Sequence, residues 1–198
     1  IHGSVSGRDG VVAVDQGASG YRGHVAALAR GRLTAGSLKM VAGPAVAIIV
    51  VAPVSNDSAV RLLADGALVA LSANLANLFD RAPGRVAKVS LLMAAVLVGV
   101  TAAAPTLLGL AVVSGAALAL LVPDLRERMM LGDAGANPLG ATLGLATVLT
   151  VSPVARTWVL VAVLALNLVS ERVSFSRVID RVAPLRALDR MGRERPEG

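Results

Sequence analysis

The chain contains no cysteine, which excludes disulfides and thiolate-ligated metal centres alike. Aromatic residues are almost as scarce, with one Trp, one Tyr and two Phe among 198 residues. Charged residues make up only 16% of the chain, less than a soluble domain of this length carries. No internal repeat and no low-complexity tract interrupts it. Residue 1 is Ile, and neither a charged leader nor a cleavage site precedes the first apolar run, so the expectation is an N-terminally incomplete piece with no signal peptide. The net charge of +6 raises the question of nucleic acid. Nearly all the surplus is Arg in short loops between apolar runs, where it encodes membrane orientation instead, and nucleic acid is not an expected partner.

What the chain does have is aliphatic bulk: 55% apolar residues and a mean hydropathy of +0.71. Ala, Val, Leu and Gly in this balance predict an all-α, polytopic membrane helix bundle. Roughly 17 to 25 helical residues cross a hydrocarbon layer about 30 Å thick. Six stretches qualify, near 38–54, 59–79, 86–104, 106–122, 138–153 and 155–171. All basic residues except Arg61 and Arg156 lie in 1–39, 81–88, 123–137 and 172–198. By the positive-inside rule both termini, and the loops after the second and fourth spans, are then cytoplasmic. The fifth span is short and rich in Gly and Thr, and Gly140 and Gly144 at four-residue spacing predict close approach to a neighbouring helix.

Three parts follow: a cytoplasmic loop and short interfacial helix (1–37), the six-helix bundle (38–171) and a cytoplasmic basic tail (172–198). Residues 3–20 are punctuated by Ser, Gly and Asp without apolar periodicity, whereas 21–33 can form an amphipathic helix along the inner surface. In the tail, Arg alternates with Val, Phe, Ile and Leu at helical spacing up to Gly192, which predicts an interfacial segment that frays beyond that point.

Polar residues concentrate at two places. Asn74, Asn77 and Asp80 are spaced i, i+3, i+6, so they share a sector of about 120° over the last two turns of one helix. Polar groups at membrane depth are costly and read as functional unless they serve interhelical hydrogen bonds or pair with Arg81 or Arg85. Asp133 falls in the Gly-flanked stretch Gly132-Asp-Ala-Gly135, expected as a turn in a loop on the same face. Hard cations such as Mg²⁺ take one or two carboxylates plus phosphate oxygens, so two acidic sites on one face suggest a metal-held phosphate. Asp65 lies deeper, one turn after Arg61, and is expected to pair with it at the outer end. His24 is isolated. Glu171 and Arg172 end the sixth span, where Arg172 serves either a phosphate or ordinary helix-end charge.

These residues resemble a known family. Asn74-Leu-Ala-Asn77-Leu-Phe-Asp80-Arg-Ala-Pro-Gly84-Arg-Val-Ala-Lys88 and Met130-Leu-Gly-Asp133-Ala-Gly-Ala-Asn137-Pro-Leu-Gly140 are similar to signature loops of the polyprenyl-phosphate N-acetylhexosamine-1-phosphate transferases. Tyr21-Arg-Gly-His24, the stretch Gly31 to Lys39, and Glu171-Arg-Val-Ser-Phe-Ser-Arg177 resemble further stretches, so that the likeness covers roughly residues 20–192. The resemblance implies transfer of a UDP-linked N-acetylhexosamine 1-phosphate to a polyprenyl phosphate in cell-envelope polysaccharide synthesis, with release of UMP. It implies Asp80 and Asp133 as catalytic residues and Mg²⁺ ligands. Asn74, Asn77, Lys39, His24, Arg172 and Arg177 become substrate-binding candidates. UDP-N-acetylhexosamine, polyprenyl phosphate and membrane lipids are the implied partners, a homodimer is admitted, and the active face is the cytoplasmic side of the cell membrane.

The chain departs from the family pattern in three respects, one being that Glu171-Arg-Val-Ser-Phe-Ser-Arg177 stands where the peptidoglycan branch has a histidine-rich late loop. Adjacent aspartates expected upstream of Gly23-His24 are missing, with Asp9 and Asp15 both isolated, and the family has about ten crossings. Two other classes therefore stay open on the residues: a non-catalytic membrane relative that binds lipid phosphate or acts as an assembly partner, and an unrelated small transporter.

Overall fold

A computed structural model describes the backbone of residues 35–193 and the side chains of residues 41–193. Among them every regular element is helical and no strand occurs. The helices are α1 (Ala35–Val51), α2 (Ala59–Phe79), α3 (Arg85–Val100), α4 (Leu108–Leu125, entered through the 3₁₀ turn Pro105–Leu107), α5 (Gly132–Thr150), α6 (Pro153–Ser170), α7 (Phe175–Arg181) and α8 (Ala183–Arg190). Residues up to Ala45 belong to one compact unit, of which the start of α1 is described; Val46 onward forms a second, which holds all the contacts below.

Among the described residues, three helical stretches are long and apolar enough to cross a membrane, by length and composition: Ala59–Phe79, Pro105–Leu125 and Pro153–Ser170. The other three expected spans fall short of that measure: α1 and α3 have 17 and 16 residues, and α5 is diluted by Gly, Thr and Asn. Apolar side chains face outward as well as inward. Ile49, Val60, Leu108 and Trp158 are all at least 70% exposed, the pattern of helices whose surroundings are themselves apolar.

Local sequence sets the ends of each element. Ser58 opens α2, its hydroxyl accepting the Arg61 N–H at 3.1 Å, and Ser152 with Pro153 opens α6. Gly84, at φ 68°, turns the chain into α3 through the left-handed region that glycine tolerates. Two boundaries differ from expectation. Pro123 does not stop α4, which runs on to Leu125. Nor is Asp133 in a loop: α5 starts at Gly132, six residues before the expected 138, and places Asp133 in its first turn. An acidic side chain there is favoured by the partial positive charge of the free N–H groups.

The central pairing is α2 against α5, with α6 on α2 and α3 and α4 on α5. Glycine permits the closeness. A Cβ added at Gly140 would lie 2.8 Å from the Ala73 Cα, and one at Gly144 would lie 2.8 Å from the Val69 Cα. The expectation from the four-residue glycine spacing is met. The threonines that dilute α5 bond back to their own helix, Thr147 to the Leu143 carbonyl at 2.8 Å and Thr150 to the Ala146 carbonyl at 2.6 Å, so no hydroxyl needs water. Leu68, Val69, Val148, Ala47 and Val51 fill one part of the interior; Ala76, Val86 and Ala136 fill another beneath Phe79 and Leu131.

At one end of α2, Asp65 is 1% exposed and gathers both basic residues that the loop pattern left over. Arg156 reaches it at 2.7 Å, Arg61 at 3.4 Å, and the Ser55 hydroxyl donates to it at 2.8 Å. The Arg61–Asp65 pair was legible in the sequence. Arg156, 91 residues away, was not.

At the other end the segment after α6 is tied down. Arg85, 4% exposed, grips Asp189 with two bonds, Nε to Oδ1 at 2.7 Å and Nη2 to Oδ2 at 3.0 Å, while its Nη1 meets Ser176 at 2.7 Å. Lys88 Nζ donates to the carbonyls of Leu188, Asp189 and Met191 at the end of α8, where backbone acceptors run short of helical donors and only that of Leu188 also takes the Met191 N–H. Phe79 stacks on Phe175 at 5.1 Å. Burial alone would raise the Asp189 carboxyl, but hydrogen bonds and charge from Arg85, with Arg193, hold it below its ordinary value of 3.8. The stabilisation it gives is therefore complete above pH 3.8 and drains away as pH falls through the lower folded value. Acidification through that window should release 175–193 to pepsin, whereas Asp189→Asn should leave the segment equally cleavable on either side of it.

Candidate functional site

Two carboxylates join the helix ends on this side. Asp80 terminates α2, its N–H held by the carbonyls of Ala76 and Asn77. The Gly132 N–H at the start of α5 is near enough to act on its carboxylate and favour the charged form. Asp124, in the last turn of α4, is 3% exposed and accepts the Gly84 N–H at 3.1 Å. Asp124 therefore crosses to the start of α3 and satisfies a backbone donor there. Asp133 stands beside them, close enough for its charge to act on Asp80.

Crowding leaves a mark on Asp80. Burial first, then the negative charge of Asp124, push its carboxyl above 3.8; the Gly132 N–H opposes them, and Asp133 adds a smaller upward push. Like charges gathered at one place are relieved by a proton or a cation. A cation from the protein already approaches: Arg193 donates to the Pro83 carbonyl at 3.1 Å and acts on Asp124. Arg81, Arg126 and Arg128 project from the same loops and are exposed. Among the described residues, no three His, Cys, Asp or Glu side chains group tightly enough to hold a metal ion unaided.

The candidates read from the sequence fare differently. Asp80 and Asp133, from stretches more than fifty residues apart, converge. Asn74 does not join them: its carboxamide donates to Asn167 Oδ1 at 2.7 Å, and Asn167 Nδ2 bonds the carbonyls of Leu71 and Val163. This is an interhelical polar lock between α2 and α6, the structural role that such residues play when paired inside a bundle. Asn77 is half-buried on α2, one turn from Asp80. Arg172 and Arg177 are exposed, beyond α6 and in α7. Arg85 is given to Asp189 and not to Asp80. His24 and the side chain of Lys39 lie outside the described residues, as do Asp9 and Asp15.

Asp124 went unnoticed in the sequence because it follows Pro123, where a helix was expected to stop. The signal was present in its being an acidic residue at the same inner end as Asp80 and Asp133. The chain matches no protein-family model, no curated protein and no solved structure.

Proposed function

We propose that the chain takes part in transfer of a UDP-linked N-acetylhexosamine 1-phosphate to a polyprenyl-phosphate carrier at the cytoplasmic face of the cell membrane. In this reading six helices, α1 to α6, cross the bilayer and both termini are cytoplasmic. The supporting observation is the meeting of Asp80, Asp124 and Asp133 at one end of the bundle, amid arginine-bearing loops.

The reaction needs a boundary between lipid and water, because its carrier is apolar and its sugar nucleotide is charged. A carrier phosphate oxygen forms a bond to the sugar-linked phosphorus, and the bond from that phosphorus to UMP breaks, UMP leaving with the electron pair. The donor set consists of hard carboxylate oxygens and fits Mg²⁺, which uses one or two carboxylates and completes its shell with phosphate and water. Asp133 and Asp80 would hold it, and when bound it supplies charge neutralisation for the diphosphate. Arg172 and Arg177 are free to meet phosphate oxygens, and Asn77 orients the turn that carries Asp80. Asn74 supports α2 through Asn167.

The test uses membranes carrying the chain, radiolabelled UDP-N-acetylglucosamine, polyprenyl phosphate and Mg²⁺. Lipid-linked product is expected, and Asp80→Asn or Asp133→Asn should each lower its rate on the order of 100-fold or more, the usual scale for losing one charge-stabilising group. Absence of product from the unsubstituted chain, or product indifferent to both substitutions, ends this reading. A second reading, a non-catalytic relative that binds lipid phosphate or stabilises an assembly, draws support from Asp124 bonding the Gly84 N–H, a structural use of a carboxylate at this end. It is distinguished by retention of polyprenyl phosphate without turnover.

A further inference from the structure

The segment after α6 is more than a fastening. From Arg172 to Arg193 it carries six arginines against two aspartates, and one of those, Asp189, is already neutralised by Arg85. Arg172, Arg177, Arg181, Arg186 and Arg190 are exposed. So are Val178, Val182, Leu185, Leu188 and Met191, the last two at 58% and 62%. Apolar side chains left outside, bordered by arginine, are poorly placed in water.

The fastening fixes where this surface sits. Lys88 and Arg85 hold α8 at the beginning of α3, and Phe175 stacks on the last residue of α2. The exposed apolar residues are thus held at the level where membrane-length helices end. A helix with apolar residues on one side and arginines beside them lies in the interface, apolar part in the acyl boundary and cations among headgroups. Arginine is drawn to anionic headgroups far more than to zwitterionic ones.

We propose that α7 and α8 together form an in-plane docking surface for an anionic lipid leaflet, pinned to the bundle by the Arg85–Asp189 pair. The inference rests on the apolar helices lying in a bilayer and not on the proposed transfer chemistry, so Asp80→Asn leaves it unaffected. The absence of cysteine makes a site-specific probe straightforward. Leu188→Cys and, separately, Leu185→Cys in the full chain would be labelled with an environment-sensitive fluorophore and reconstituted in nanodiscs of phosphatidylcholine alone or mixed with phosphatidylglycerol, with brominated acyl chains as quencher.

A blue-shifted label is expected, with quenching roughly twofold or more stronger in the anionic discs. Arg177→Gln, Arg181→Gln and Arg190→Gln combined should bring the anionic value down to the zwitterionic one. Labels that report water in both lipids would overturn the proposal and assign the face to an acidic soluble partner. Quenching that is equal in the two lipids and indifferent to the three substitutions would overturn it equally, leaving simple apolar contact. Because the comparison between lipids needs no arginine substitution, it stands even if the triple variant folds poorly.

Discussion

Replacing Arg85 by Ala is expected to lower the unfolding free energy by about 3–5 kcal/mol, the usual cost of leaving a buried charge without its partner. Asp189 would stay 7% exposed with Arg193 as its remaining cation, at 2.6 Å but one-fifth exposed. Ser176 would lose its donor as well. Paired replacement, Arg85→Met with Asp189→Leu, should recover most of the loss, because apolar residues of similar volume need no desolvation. Chemical denaturation in mild detergent for both single variants and the double variant gives the coupling directly. A double variant as unstable as either single one would show that packing around the pair, and not the pair, carries the stability. The same variants should differ in how quickly protease removes 175–193, since that segment is what Arg85 holds.

Gly140→Val should be nearly as damaging, at about 3 kcal/mol, the upper part of the range for an overfilled core. The added atoms would meet the Ala73 Cα and the Ala76 Cβ at under 3 Å. Neither can rotate away, so α2 and α5 would have to separate. Asp80 and Gly132 sit at the matching ends of those helices, and they would draw apart as the pair opens. Gly99, Gly109 and Gly115 offer the contrast, because an added Cβ meets nothing within 4 Å there. Ala at Gly115, inside α4, should be stabilising by roughly 0.5–1 kcal/mol through a better helix propensity, and at Gly99 and Gly109, next to helix ends, neutral or slightly stabilising. Thermal melts of the four variants in one detergent separate the outcomes, and equal melting for Gly140→Val and Gly109→Ala would refute the close-packing account.

Much of this was legible along the chain wherever the relevant partner is local. Residues 59–79 were read as one helix and are one, because Ser58 caps its start and Asp80 and Gly84 break its end. Arg61 and Asp65 are a helical turn apart, and the glycine pair in α5 announces contact by its spacing alone. Periodicity can show which face of a helix is polar. It cannot name the helix that face will meet. For Asn74 both a ligand and an interhelical hydrogen bond were open, and the partner it has, Asn167, lies 93 residues on. Asp124 and Arg156 were missed for the same reason, their partners being 40 and 91 residues distant. The start of α5 was misjudged because Gly132 and Pro138 both read locally as breakers, whereas the helix begins at Gly132 and carries Pro138 inside it.

The clamp between Arg85 and Asp189 spans 104 residues of chain. During synthesis at about 5–20 residues per second, Arg85 leaves the ribosome on the order of 5–20 s before its acid does. Throughout that interval the foot of α3 lacks the counter-charge that Asp189 will supply, and its surroundings must serve it while α4, α5 and α6 are made. Final closure of this end of the bundle is consequently a late event, and a nascent chain arrested before residue 189 should expose Arg85 to a modifying reagent that cannot reach it in the finished protein.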